Sequence, residues 1–251
     1  MTRSVRDAAL LMSVVARPDA RDFMSLPHQE CDFAALVPAE PKRLRIGFLA
    51  DMGAGFPVHP EVRAACEAAA TALAHAGCSV DSIGSFLTQE MLDAVCRFFE
   101  ARSYNDLMQL PLAKRDKVLP FIAEWCSHRA AHFSGRDVMQ AYNQVMALRE
   151  AAVAASQPYD FILSPTSPIL PYEAELPAPG NDPRNALRHI AFTVPYNMSE
   201  QPAASINWGY SAEGLPIGVQ VIGRRFDDLG VLRLSLLLEQ LRPKQRRWPE
   251  L

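Results

Sequence analysis

The chain has 251 residues, 49% of them hydrophobic and 21% charged, with a formal net charge of -3 at pH 7. That length and apolar content suffice to bury a sizeable core, as one large domain or two small ones, and exclude a disordered chain. A small negative charge without any long basic run excludes the electrostatic footprint of a nucleic-acid binder or a membrane-surface protein and points to a small-molecule partner.

No apolar run approaches the roughly 20 residues needed to cross a bilayer. The richest, LRLSLLLEQL, is interrupted by Arg233, Ser235 and Glu239. Charges spread through MTRSVRDAALLMSVVA, Asp7 included, depart from a secretory signal, so a cytoplasmic protein is expected. The five cysteines (Cys31, Cys66, Cys78, Cys96 and Cys126) form no Cys-x-x-Cys pair, which favours buried free thiols over a zinc or redox site.

Ser4 and Asp7 predict a capped helix in which Val5, Ala8, Ala9, Met12 and Val15 recur at helical spacing, ended by Pro18, Asp19 and Asp22. The proline-rich run from Leu36 to Pro41 reads as a surface connection. LRIGFLAD reads as a buried strand, HPEVRAACEAAATALAHAG as a helix with Pro60 in its first turn and Gly77 past its end, and CSVDSI as a second strand. Such a βαβ unit implies a sheet that is at least partly parallel. Thr88 to Gln157 is helical in pattern, in at least three pieces: Met91 to Arg102, Pro120 to Ala131, and one opened by Ser134 and Asp137. Tyr159 to Leu163 reads as a short strand running into SPTSPILP, whose prolines forbid helix and ladder alike. Ala203 to Asn207 and Ile217 to Ile222 read as an antiparallel pair turning at Gly214. Asp227 or Asp228 caps a closing helix with Leu229, Leu232, Leu236 and Leu237 as one stripe.

Nucleophilic serine chemistry needs a hydroxyl beside a base, usually on a Gly-flanked turn. The chain has no Gly-x-Ser-x-Gly elbow, and Gly209-Tyr210-Ser211, the nearest imitation, reads as a hairpin turn. Lys42, Lys114, Lys117 and Lys244 all fall in polar surroundings, where nothing lowers a lysine pKa enough to make it a base. His128 and His132 have the one-turn spacing of zinc proteases, but Arg129 stands where the general-base glutamate would be, and no metal is expected. His59 and His75 suit helix ends. Gly53 and Gly55 follow the first strand, yet the third glycine of a dinucleotide fingerprint would fall at Val58; no cofactor is expected, with a nucleotide-binding α/β module kept as an alternative. Glu173 and Glu175 alternate along an extended segment, which makes them solvated loop charges rather than an acid-base pair.

MTRSVRDAALLMSVVARPDARD, LRIGFLAD with its helix and CSVDSI, YDFILSPTSPILP, and FTVPYNMSEQPAASINWGYSAEGLPIGVQVIGRRFDD, in that order and spacing, resemble the C-terminal half of amidase-signature hydrolases. The resemblance implies an α/β fold, a mixed β-sheet flanked by helices and lacking its N-terminal half. Residues 1–251 would then be the C-terminal portion of a single amidase domain, with a helical cap-like insertion at about 88–157. It implies hydrolysis of carboxylic amide C–N bonds by a serine nucleophile, a second serine with a cis peptide, and a lysine base.

Nothing here matches the family's lysine-bearing strand or its Gly/Ser-rich loop, so no catalytic residue is assigned and the chain is expected to be inactive alone. SPTSP (Ser164 to Pro168) resembles the family's pocket loop and FTVPYN (Phe192 to Asn197) the segment leading to the substrate-side hairpin, making Thr166, Asn197 and Trp208 the expected substrate-binding residues. The family usually has glycine where Glu200 stands and often proline where Asn207 stands, and Glu200 is expected near the pocket. The expected partners are a small-molecule amide substrate of the complete enzyme and a missing N-terminal half, which this chain would complement as a scaffold subunit if that half were made separately.

Overall fold

A computed structural model describes residues 1–246. Strands β1 (Arg45–Phe48), β2 (Ser79–Ser82), β3 (Phe161–Pro165), β4 (Ala203–Tyr210) and β5 (Pro216–Ile222) form one sheet in the order β2-β1-β3-β5-β4. The expected mixed sheet is present: β1 pairs in parallel with β2 and β3, while β5 runs antiparallel to β3 and β4.

Around it lie helices α1 (Val5–Val15), α2 (Pro60–Ala76), α3 (Gln89–Gln109), α4 (Leu112–Arg115), α5 (Pro120–Ser127), α6 (Gly135–Ser156), α7 (Val194–Ser199) and α8 (Asp228–Leu241). Their ends follow the sequence signals. Ser4 Oγ accepts from the Asp7 N–H, Ser134 and Asp137 close a reciprocal capping box, and Asp227 accepts from the Gly230 N–H. Helix α2 starts on Pro60 and stops at Gly77, which takes φ 110° as a left-handed cap.

Alternation along the strands sorts side chains onto two faces. On one, Ile46, Leu163, Val219 and Val221 pack with Cys66 and Leu73 of α2 and Leu234 and Leu238 of α8. On the other, Ile162 and Ile222 pack with Leu92 and Val95 of α3, Val145 and Leu148 of α6, and Val194 and Tyr196 of α7. A third core sets Val5 and Ala9 of α1 against Leu232 and Leu236 of α8. At full burial each leucine in these layers contributes about 1.5–3 kcal/mol relative to exposure.

Four expectations need correction. Strand β3 continues two residues beyond Leu163, with Ser164 and Pro165 paired to Gln220 and Val219. The ladder tolerates Pro165 because it is the strand's last residue. Helix α5 ends at Ser127, and a separate 3-10 turn follows at Ala130–His132, so His128 and His132 do not share one helix. The α8 leucines do not form one stripe, since Leu232 and Leu236 face α1 while Leu237 faces the sheet. Gly209 and Tyr210 lie in β4, and only Ser211 belongs to the turn.

Candidate substrate-facing site

The register brings together a polar row that single segments do not reveal. Ser164 of β3 lies opposite Gln220 of β5, which lies opposite Ser205 of β4, so all three project from the sheet face that α3, α6 and α7 partly cover. Gln220 is buried and its amide donates to Ser164 Oγ at 3.1 Å and to the Phe192 carbonyl at 2.9 Å, tying the sheet to the segment that leads into α7. Ser164 Oγ in turn donates to the Pro165 carbonyl at 3.0 Å.

One step along the strands, Thr166 N–H donates to the Gly218 carbonyl at 3.3 Å, and Thr166 Oγ1 meets Ser205 Oγ at 2.7 Å across β5. This bridge depends on Gly218. A Cβ there would stand 2.7 Å from Ser205 Oγ and 2.9 Å from Thr166 Oγ1, closer than real contacts allow. Ser205 is exposed and Thr166 half-buried, so this end of the face is open where the end at Ile162 and Ile222 is closed.

These hydroxyls can bind and orient a polar group, and among the described residues no lysine, histidine or carboxylate is bonded to them. All four lysines are exposed, and none is bonded to a described serine. Histidine does not replace them: His59 Nδ1 accepts from the Glu61 N–H, His128 Nδ1 lies 3.2 Å from the Glu124 carbonyl, and burial holds the His189 imidazole below its usual pKa. Ser211 serves its turn, accepting from the Leu215 N–H at 3.1 Å. Cys66 is fully buried, which pushes its thiol up to about 12 and leaves it protonated at neutral pH. Among the described residues no group of three or more His, Cys, Asp or Glu is placed to hold a metal ion.

The residues expected to bind substrate do not all share one face of the sheet. Thr166 stands on the open polar face. Asn197 is exposed on α7. Trp208 is 3% exposed and belongs to the opposite core, with α2 and α8, its indole N–H unpartnered among the described residues.

Glu200 caps the C-terminal end of α7, and the next two residues, Gln201 and Pro202, bond to Gly223 just past the end of β5. There it takes φ 61° and pairs with Arg149 at 2.6 Å and with Arg225. A left-handed φ is the physical reason glycine would suit the position. Sequence reasoning included Ser164 in the pocket loop without singling it out, and it missed Ser205, Gly218 and Gln220. A period-two count along SINWG and PIGVQ places them on one face, but their pairing needs the register.

The βαβ glycines also find their explanation in packing. A Cβ on Gly53 would meet Ser85 Oγ at 2.7 Å, and one on Gly55 would meet the Arg188 carbonyl at 2.6 Å, so both admit neighbouring loops.

A mixed sheet flanked by helices on both faces, with one polar, half-open end, is the arrangement to compare with known proteins. The amidase family model matches residues 1–232, and the chain belongs to that family. The chain is 32% identical to the 6-aminohexanoate-cyclic-dimer hydrolase of a Pseudomonas species over 99% of its own length and 54% of the relative's. It is 29% identical to an acylamidase of Rhodococcus erythropolis, over 97% of the chain and 52% of the relative. The solved structure of a 6-aminohexanoate cyclic dimer hydrolase superposes with a TM-score of 0.78 at 26% identity, over 97% of this chain and 54% of that one. The chain thus spans about half the length of the curated relatives it matches.

Proposed function

We propose that this chain is the C-terminal portion of a single amidase domain that forms one wall of an amide-substrate pocket and does not hydrolyse amides by itself. The observation that carries the proposal is the polar row Ser164–Gln220–Ser205 with Thr166 beside it, half open and bonded only to neutral partners. Amide hydrolysis by a serine requires a base at the hydroxyl, and every lysine of the chain is exposed elsewhere.

In this reading Thr166 contacts the substrate directly, Asn197 borders the pocket from α7, and Trp208 acts only through the packing of β4. The helices between about 88 and 157 form the layer that closes the other end of the same face. Five free cysteines fit a reducing, cytoplasmic compartment.

The test is an assay of purified chain against simple aryl and aliphatic amides. The proposal expects no turnover; turnover abolished by one point substitution in this chain would overturn it.

A second reading, that the chain completes an enzyme by docking onto a separately made N-terminal half, rests on its unpartnered surfaces. Leu10, Leu11, Val14 and Val15 of α1 are each more than half exposed, a concentration of apolar side chains that ordinary monomers avoid. Mixing the chain with the N-terminal half of a full-length relative and measuring co-elution and amide turnover decides it, and two components that neither associate nor gain activity would exclude it.

A further inference from the structure

Three segments that are distant in sequence converge on a small cavity of about 250 Å³. Helix α3 contributes Asp93, Cys96 and Arg97, the link after α5 contributes Arg129, and the turns between β3 and α7 contribute Arg184, Leu187 and Arg188. Four guanidinium groups therefore face a lining with a single carboxylate.

Neighbouring carboxylates offset part of this charge, since Glu100 pairs with Arg129, Asp137 acts on Arg97, and Asp182 acts on Arg184 and Arg188. Glu100 is only 2% exposed and is engaged by Arg129, whose Nε and Nη2 donate to it at 3.0 and 2.5 Å. Asp182 carboxylate oxygens accept from the Arg184 backbone N–H at 2.9 Å and from Asn185 Nδ2 at 2.6 Å. Arg97 Nε is buried with no hydrogen-bond partner among the described residues. A buried donor without a partner calls for an acceptor, and a charged one binds it most strongly.

We propose that this cavity binds a small tetrahedral oxyanion of the phosphate class, held by Arg97, Arg129, Arg184 and Arg188. A carboxylate presents two oxygens in one plane and satisfies one guanidinium fork, whereas a tetrahedral oxyanion offers acceptors toward several segments at once. The volume lies below the roughly 300–1,000 Å³ of pockets for drug-sized ligands, which selects a free ion or a compact ester. Arg129 is pre-positioned by Glu100, and the exposed Arg184 and Arg188 form the mouth. Cys96 adds no covalent chemistry: burial outweighs the pull of Arg129 and Arg188 and pushes its thiol up to about 12.

Isothermal titration of the full chain with inorganic phosphate tests this, with sulfate and acetate as comparison ligands. The proposal expects saturable binding of one phosphate per chain, binding of sulfate at the same site, and much weaker binding of acetate. Arg97→Gln and Arg188→Gln should each weaken phosphate binding about tenfold or more. At tenfold excess over Kd, phosphate should raise the melting temperature of the unsubstituted chain by about 3 °C or more and that of Arg97→Gln by much less. Because Arg188 is exposed, Arg188→Gln keeps the test open should Arg97→Gln fail to fold. Absence of binding, binding unchanged in Arg188→Gln, or equal affinity for acetate would each overturn the proposal.

Discussion

Replacing Gly218 by alanine tests whether two hydroxyls bridge across the strand. In an open extended site such a change stabilises a protein by about 0.4–1 kcal/mol, because it narrows the unfolded ensemble. Here the new methyl would stand 2.7 Å from Ser205 Oγ and 2.9 Å from Thr166 Oγ1. Ser205 is exposed and its hydroxyl can rotate away, at the loss of one hydrogen bond of about 0.5–1.5 kcal/mol. Thr166 yields less readily, since its χ1 is stiff and its N–H is tied to the Gly218 carbonyl at 3.3 Å. Overpacking therefore adds a penalty near the lower end of its usual range, about 1 kcal/mol. The balance is a destabilisation of about 1–2 kcal/mol, a fall in melting temperature of about 3–6 °C for a chain of this size. Urea titration should show a lower midpoint with an unchanged slope. Combined with Ser205→Ala, which removes the nearer clashing atom, the penalty should shrink by about 0.5 kcal/mol or more relative to additivity. A neutral or stabilising Gly218→Ala refutes the geometry, and strict additivity refutes the bridge.

Glu200→Gly exchanges a left-handed strain of about 1 kcal/mol for two half-exposed ion pairs worth about 0–1 kcal/mol each, so stability in low salt should move by no more than about 1 kcal/mol in either direction. A loss above about 1.5 kcal/mol by urea titration would contradict that balance. Arg129→Ala strands the buried carboxylate of Glu100 and should cost about 2–4 kcal/mol, discounted from a fully buried pair because Arg129 is 45% exposed; a cost under about 1 kcal/mol would show Glu100 to be solvated. Cys66 has a folded pKa of about 12 against 9.0 for an ordinary thiol, so its contribution to stability is fully present below pH 9 and is lost as pH rises from 9 toward 12. The native chain should leave this thiol unmodified by a disulfide reagent at pH 8 while the urea-unfolded chain reacts, and rapid native labelling would count against its burial. Leu11→Ser with Val15→Ser should leave the melting temperature within about 1 °C and reduce self-association and dye binding, since both side chains are more than half exposed; a large stability loss would place them in a core.

Local signals carried much of the fold. Ser4, Ser134 and Asp227 cap the helices they precede, Pro60 and Gly77 bracket α2, and the alternation in β4 and β5 reports their antiparallel pairing. What stayed hidden depends on register and on distant partners. Ser164, Gln220 and Ser205 become neighbours only once β3, β5 and β4 are aligned, and no single segment states that alignment. Trp208 shares its parity with Ala204, so the sheet carries it into the core with α2 and α8, away from Thr166. The leucines of α8 divide between two cores because α1 covers a face that helical periodicity alone leaves undirected. The arginine cavity draws on three segments, two of them irregular, beyond the reach of any periodicity.

On the proposed reading, no hydroxyl or thiol of this chain is activated for covalent attack. Treating the native chain with a serine-directed phosphonylating reagent and measuring its intact mass tests that most directly. An unchanged mass is expected under conditions that fully label a full-length relative. A stoichiometric adduct on a single side chain, lost on unfolding the protein before treatment, would contradict it.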